Sequence, residues 1–335
     1  MPRTVTASYA GAANAALERA LCEYPNALLF GEDVARPGGI FGVTKGLHKQ
    51  FGERVFDTPI SESVILGGAV GSAMMGMRPI VEIMWADFSL VALDQLVNQA
   101  ANVRYNSRGR LSAPMTVRTQ QGIAPGACAQ HAQSLEAIFA HIPGLQVCMP
   151  ANAQDAYDLL LSAIASEDPA IVIENRTLYH GEKVDIQVDT EIQSVGGARV
   201  KRQGDDVTIV SWGATVNVAL QAAETLAARG IDAEVIDLRW LRPYDLDSIL
   251  ESVSRTGRLV VVQEAHTAVG FAAEVIAAVS ESGVPLLSPP SRVGTPDARI
   301  PAAPVLATTL APSPQKIEAA VERSVGRGAA VLQAG

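Results

Sequence analysis

Short apolar runs alternate with amphipathic stretches of helical length along almost the whole chain. Residues 7–23 read as a helix, 27–30 as a buried strand and 43–51 as a short helix. Residues 63–77 read as a helix of small residues, followed by a strand at 80–85, a long helix at 90–105 and a strand at 114–118. Strands at 145–149 and 170–174 flank a helix at 153–165. Strands that are apolar throughout, separated by helices, predict a parallel sheet covered on both faces.

Between residues 179 and 197 the pattern dissolves into polar, mixed-charge sequence, then resumes. Strands at 207–212, 233–237 and 259–263 alternate with helices at 215–229, 245–253 and 271–280, and a last helix spans 316–325. The expected fold class is α/β: two doubly wound, mostly parallel-sheet domains over 1–180 and 198–335, joined by a linker at 181–197.

Composition adds one thing. Of 335 residues 18% are charged and 48% hydrophobic, and the mean hydropathy is +0.18. A chain so poor in charge buries much of its surface, in thick layers or against other subunits. A net charge of -9 argues against a nucleic-acid partner, which needs a basic footprint. The nearly apolar run at 64–77 is too short to span a bilayer. The first residues lack the order of a signal peptide, so cytoplasm is expected. Three cysteines without a Cys-x-x-Cys spacing fit free thiols better than a disulfide framework or zinc.

The familiar nucleotide, hydrolase and zinc-protease motifs are missing: no complete G-x-G-x-x-G, no Walker loop, no G-x-S-x-G, no H-E-x-x-H. Three other features carry chemistry. Glu62 follows Asp57-Thr58-Pro59-Ile60-Ser61 and opens a helix whose next residues, 63–77, hold no charge. Its bland role is a helix-dipole acid behind a Ser61 N-cap. Gly67, Gly68, Gly71 and Gly76 nevertheless sacrifice helix propensity, as a helix does when another backbone must come close. Trp85-Ala86-Asp87-Phe88 ends a strand, where open α/β sheets bind ligands and aromatic rings can stack on them. A long Gly/Ala loop after the next strand carries His131, a candidate acid/base; Cys128 beside it is a weaker candidate nucleophile.

The series Phe30-Gly31-Glu32-Asp33-Val34, Asp57 to Glu62, Arg78-Pro79-Ile80-Val81-Glu82, Leu93-Asp94-Gln95-Leu96-Val97-Asn98-Gln99, Gln130-His131 and Pro143-Gly144-Leu145 resembles the β subunits of 2-oxo acid dehydrogenase E1 components. These are transketolase-like thiamine-diphosphate enzymes acting on pyruvate, branched-chain 2-oxo acids or acetoin. The resemblance covers nearly the whole chain. It implies a pyrimidine-binding domain followed by a transketolase C-terminal-like domain that makes subunit and E2 contacts. It implies that Glu62 hydrogen-bonds N1′ of the aminopyrimidine, that Phe88 packs on that ring, and that Ile60 and Gln95 also line the cofactor. His131 would assist with substrate and with reductive acylation of the lipoyl group of E2 acyltransferase. The implied reaction is oxidative decarboxylation of a 2-oxo acid.

The same resemblance implies Mg2+ held mainly by an E1 α subunit, since the family's Gly-Asp-Gly motif is missing here, and an α2β2 heterotetramer. It also implies potassium around Met115, Ala163, Ile164, Ser166 and Asp168, mostly through backbone carbonyls. Two positions depart from the pattern. Ala132 stands where most relatives have Ser, and Gln120-Gln121-Gly122 is an unfamiliar turn, which leaves the substrate open. Alternatives are an acetoin dehydrogenase subunit, a split transketolase-like transferase using the same Glu62 without a lipoyl acceptor, or a subunit that keeps the fold without the chemistry.

Overall fold

The computed structural model describes residues 2–326; Met1 and residues 327–335, the end of the expected second domain, lie outside the described residues. The chain divides into two units. The first comprises Met1–Gly122, Ile138–Val195 and Leu241–Pro243; the second comprises Ile123–Ala137, Gly196–Trp240 and Tyr244–Gly335.

In chain order the first part runs β1 (Arg3–Ala7), α1 (Tyr9–Glu23), β2 (Ala27–Gly31), α2 (Leu47–Phe51), β3 (Val55–Asp57), α3 (Glu62–Met74), β4 (Arg78–Ile83), α4 (Val103–Asn106), β5 (Thr116–Gln121), α5 (Glu136–Ala140), β6 (Gln146–Cys148), α6 (Ala153–Ala165), β7 (Ala170–Asn175) and β8 (Val184–Val188). Then follow β9 (Arg199–Arg202), β10 (Val207–Ser211), α7 (Thr215–Ala227), β11 (Ala233–Asp237), β12 (Trp240–Arg242), α8 (Leu246–Thr256), β13 (Leu259–His266), α9 (Phe271–Glu281), β14 (Ser291–Thr295), α10 (Pro304–Leu310) and α11 (Pro314–Ser324).

The large sheet has the order β12-β6-β7-β5-β4-β2-β3. Every pair from β6 across to β3 is parallel. β4, β5 and β7 are buried along their whole length, the condition of a sheet covered on both faces. Their middle holds a buried charge cluster. Arg118 grips Glu174 with two parallel hydrogen bonds of 2.8 and 2.7 Å and Glu82 with a third of 2.6 Å. The Tyr179 hydroxyl donates to Glu174 at 2.5 Å. Burial pushes the Glu82 carboxyl up, against the pull of Arg118.

The second unit has a five-stranded sheet of order β14-β13-β10-β11-β9, parallel except for the antiparallel edge β9. Ile209, Val235, Val260 and Val262 on its strands pack with Leu226 of α7 and Val321 of α11.

Several stretches differ from their sequence expectation, two of them within the first unit at 86–106 and 184–188. The helix expected at 90–105 is broken into a 3-10 stretch at Ala86–Ala92, a π turn at Gln95–Gln99, another 3-10 turn at Ala100–Asn102 and the short α4. Asn102 Nδ2 reaches the carbonyls of Val97 and Asn98 at 3.3 and 3.4 Å, offering the backbone a rival to regular helix bonds. Residues 184–188, within the polar stretch, form β8, which pairs antiparallel with β1.

Candidate active site

β3, β2 and β4 are neighbours and parallel, so the loops that leave their carboxyl ends gather at one end of the sheet. The loop after β2 carries Glu32 and Asp33, the loop after β3 carries Thr58, Ile60 and Glu62, and the segment after β4 carries Trp85 and Phe88. Backbone bonds set their spacing: Thr58 N donates to Gly31 O at 2.9 Å, and the Asp57 carboxylate accepts Ala35 N at 2.7 Å.

Glu62 is the first residue of α3 and half-buried. Ser61 occupies the N-cap position but makes no side-chain capping bond, so the simple cap-and-dipole account leaves the acid without its usual companion. Among the described residues the Glu62 side chain has neither hydrogen-bond nor salt-bridge partner. Its charge acts instead on Glu32, whose carboxyl is pushed above the usual glutamate value, first by burial and then by Glu62 and Asp33.

α3 is tied to the elements that carry the other expected site residues. Ser63 Oγ donates to Val91 O at 2.9 Å, holding the 3-10 stretch on which Phe88 sits half-buried. A Cβ added at Gly67 would stand 3.3 Å from Gln95 Oε1, so the absence of a side chain there admits the Gln95 amide. The π turn places Gln95 on that line, and such turns recur at functional sites. Ile60 is 83% exposed, and Thr58 Oγ1 is buried with no partner. Ile60, Glu62 and Phe88 thus lie on segments that follow the carboxyl ends of β3 and β4, and Gln95 packs against α3 at Gly67.

Trp85 is braced by Arg176, whose guanidinium carbon lies 4.7 Å from the ring centroid, and by Phe41 edge-on at 5.6 Å. Phe41 in turn stacks on Tyr179 at 5.3 Å.

His131 lies in Ile123–Ala137, which packs as part of the second unit. It ends the 3-10 turn Cys128–Gln130 and is half-buried. Ala132 beside it is 2% exposed and packs with Ala124, Ala127, Ile300 and Ala307. Cys128 has a free thiol and a backbone φ of 53°.

A model of "Transketolase, pyrimidine binding domain" matches residues 6–182, and one of "Transketolase, C-terminal domain" matches 196–317. The chain is 41% identical over 317 residues to the 2-oxoisovalerate dehydrogenase subunit beta of Bacillus subtilis, covering 94% of this chain and 97% of that one. The pyruvate dehydrogenase E1 component subunit beta of the same organism is 42% identical over 288 residues, covering 85% and 89%. The chain belongs to the E1 β family. That family depends on thiamine diphosphate. The acetoin:2,6-dichlorophenolindophenol oxidoreductase subunit beta of B. subtilis is also 42% identical, over 324 residues covering 92% of this chain and 94% of that one. A solved structure described as "Split gene transketolase, inactive beta4 tetramer" superposes with a TM-score of 0.79 at 25% identity, covering 96% of this chain and 99% of the other.

Within this E1 β chain, sequence reasoning passed over three neighbours of the expected site. Glu32 was legible as a strand end and as part of the family-like run 30–34, but not as a neighbour of Glu62, because that nearness comes from the pairing of β2 with β3. Phe41 and Arg176, far apart in sequence, meet only at Trp85. The positions expected to hold potassium cluster near the end of α6, and protein donors already use their oxygens. The carbonyls of Ile164 and Ser166 accept from Arg78 Nη1 at 2.6 and 2.8 Å. Met115 O accepts Ala170 N, Ala163 O accepts Ser166 N, and the Asp168 carboxylate pairs with Arg104.

Proposed function

We propose that this chain is the β half of an E1 enzyme that decarboxylates a 2-oxo acid and passes the acyl group to the lipoyl group of an E2 acyltransferase. Glu62 carries the reading: a carboxyl at the mouth of the sheet, half-buried, with no protein partner among the described residues. Such a group is available to a ligand nitrogen. The side chains around it fit an aminopyrimidine, with Phe88 for the ring face, the Thr58 hydroxyl buried without a partner and Ile60 presented outward. When bound, thiamine diphosphate supplies a carbon nucleophile and an electron sink for decarboxylation. Glu62 holds or moves the proton at the pyrimidine edge; the neighbouring Glu32 has its carboxyl pushed above the usual value by burial and by the charges of Glu62 and Asp33. Gln95 lines the same wall through its fit against Gly67. His131 acts as acid/base toward substrate and acyl acceptor.

Among the described residues no group of three or more His, Cys, Asp or Glu side chains gathers as a metal site would. Mg2+ with the diphosphate would take its ligands from the α subunit, and the active enzyme is an α2β2 assembly. The named relatives include branched-chain, pyruvate and acetoin enzymes at near-equal identity, so the substrate is a small 2-oxo acid or acetoin. Potassium would share the Ile164 and Ser166 carbonyls with Arg78 through the second lone pair of each. A melting temperature that rises with potassium but not with equal sodium checks this; identical curves reject it.

The decisive experiment is calorimetry with thiamine diphosphate and Mg2+ on the chain alone and with its α partner. Weak binding alone and tight binding in the pair is the expected result; tight binding by the chain alone contradicts a shared site. In the pair, Glu62→Gln should slow proton exchange at the cofactor's reactive carbon by about 100-fold or more while assembly stays intact. Unchanged exchange removes Glu62 from the role.

A further inference from the structure

The loop that carries His131 is held at both ends by the second unit. After Gly122 the chain enters it at Ile123, whose N–H donates to Glu264 Oε1 at 2.5 Å. Glu264 lies near the carboxyl end of β13 and is half-buried. Beyond His131, Gln133 Oε1 accepts Arg299 Nη1 at 3.2 Å, and Glu136 accepts the Trp212 indole N–H at 3.4 Å. Between these anchors Ala124, Ala127 and Ala132 pack against Ile300 and Ala307. The two polar anchors are themselves linked, since Thr295 Oγ1 donates to Glu264 O at 2.6 Å and His266 Nδ1 bonds Pro296 O at 2.8 Å. The 295–300 segment, the end of β13 and the His131 loop thus form one polar and apolar cluster.

Loops of this length without regular structure have many available conformations, and a catalytic side chain on one needs its backbone fixed. A backbone N–H given to a carboxylate makes a charge-assisted bond, roughly twice as strong as a neutral one. The Ile123 bond sits where the chain enters the loop, and the Arg299 bond lies two residues beyond His131. Neither Glu264 nor Arg299 has a role in the reading above, and both lie in the part matched by the C-terminal domain model.

We propose that Glu264 and Arg299 are positioning residues that set the placement of the His131 imidazole. The inference rests on the reading of His131 as the acid/base toward substrate and acyl acceptor. A misplacement of about 1 Å in such a group costs about 100-fold in rate, which sets the scale of the effect.

The test uses the assembled α/β enzyme with thiamine diphosphate, Mg2+, pyruvate and branched-chain 2-oxo acids as substrates, and a lipoyl domain as acceptor. Glu264→Ala should lower kcat about 10- to 100-fold with little change in KM. Glu264→Gln, whose amide oxygen still accepts the Ile123 N–H, should keep most of the rate. Arg299→Ala, at an exposed side chain whose loss spares the fold, should repeat the pattern more weakly. Glu264→Ala combined with His131→Ala should be no slower than His131→Ala alone, because both act through one imidazole. Amide exchange in Ile123–Ala137 should quicken in Glu264→Ala. A wild-type kcat in Glu264→Ala, or a loss that multiplies with that of His131→Ala, overturns the proposal. If His131→Ala is itself fully active, the reading of His131 fails separately. Amide exchange then decides: faster exchange keeps Glu264 as the anchor of the loop, and unchanged exchange removes it.

Discussion

At the residue scale, Glu32 shows a cost that folding alone would not select. Burial and the charges of Glu62 and Asp33 raise its carboxyl above the ordinary value of 4.5. The folded chain therefore holds this proton more tightly than the unfolded chain does. The support this gives folding is complete below the ordinary value and is lost as pH rises through the raised one. Stability of the chain without cofactor should fall as pH climbs across that window, and Glu32→Gln should flatten this part of the slope. Urea midpoints measured from acid to neutral pH check it; a slope unchanged by the substitution contradicts the assignment. Glu62, five residues beyond Asp57, was legible in the sequence because an acid before an uncharged helix stands out. The place of Glu32 beside it was not, because only strand pairing brings the two near.

At the element scale, what the sequence revealed follows from how local the cause is. α6 spans Ala153–Ala165 as its apolar period predicts, with the Asn152 side chain accepting Asp155 N at 3.0 Å as its N-cap. β11 is likewise found at Ala233–Asp237, the span expected for a strand. The region from 86 to 106 obeys tertiary demands instead: α3 takes the Val91 carbonyl through Ser63, and Gln95 must fit against Gly67. β1 and β8, both partly exposed, pair across nearly the whole length of the first unit's sequence, so no local period announces them. The sheet centre makes the strongest test. Arg118 is fully buried between two carboxylates, and removing it leaves both without their cation. Arg118→Met should cost about 3–5 kcal/mol in urea denaturation, and adding Glu82→Leu and Glu174→Leu should recover most of it. A loss under 1 kcal/mol for the single change contradicts this picture of the centre.

At the scale of the whole molecule, low charge and exposed apolar side chains belong together. Val64 on α3 is 67% exposed, Met75 just after it 84%, and Val91 beside it 69%. On the same helix, Gly68 and Gly71 have nothing within 4 Å of where a Cβ would stand, whereas Gly67 is filled by Gln95. Helix faces of this kind, small and apolar with open space above them, pack backbone to backbone when covered. A chain with 48% hydrophobic residues and this face left open should associate with itself when its α partner is missing. Sedimentation velocity at micromolar concentration should show species larger than one chain. Val64→Lys places a charge on that face without touching the core, so it should shift the population to single chains while the melting temperature moves little. The same substitution should weaken pairing with the α subunit if α3 lies under that contact too. A chain that sediments as a single species of 35.2 kDa before any substitution removes α3 as an assembly surface, and leaves the glycines to serve Gln95 alone.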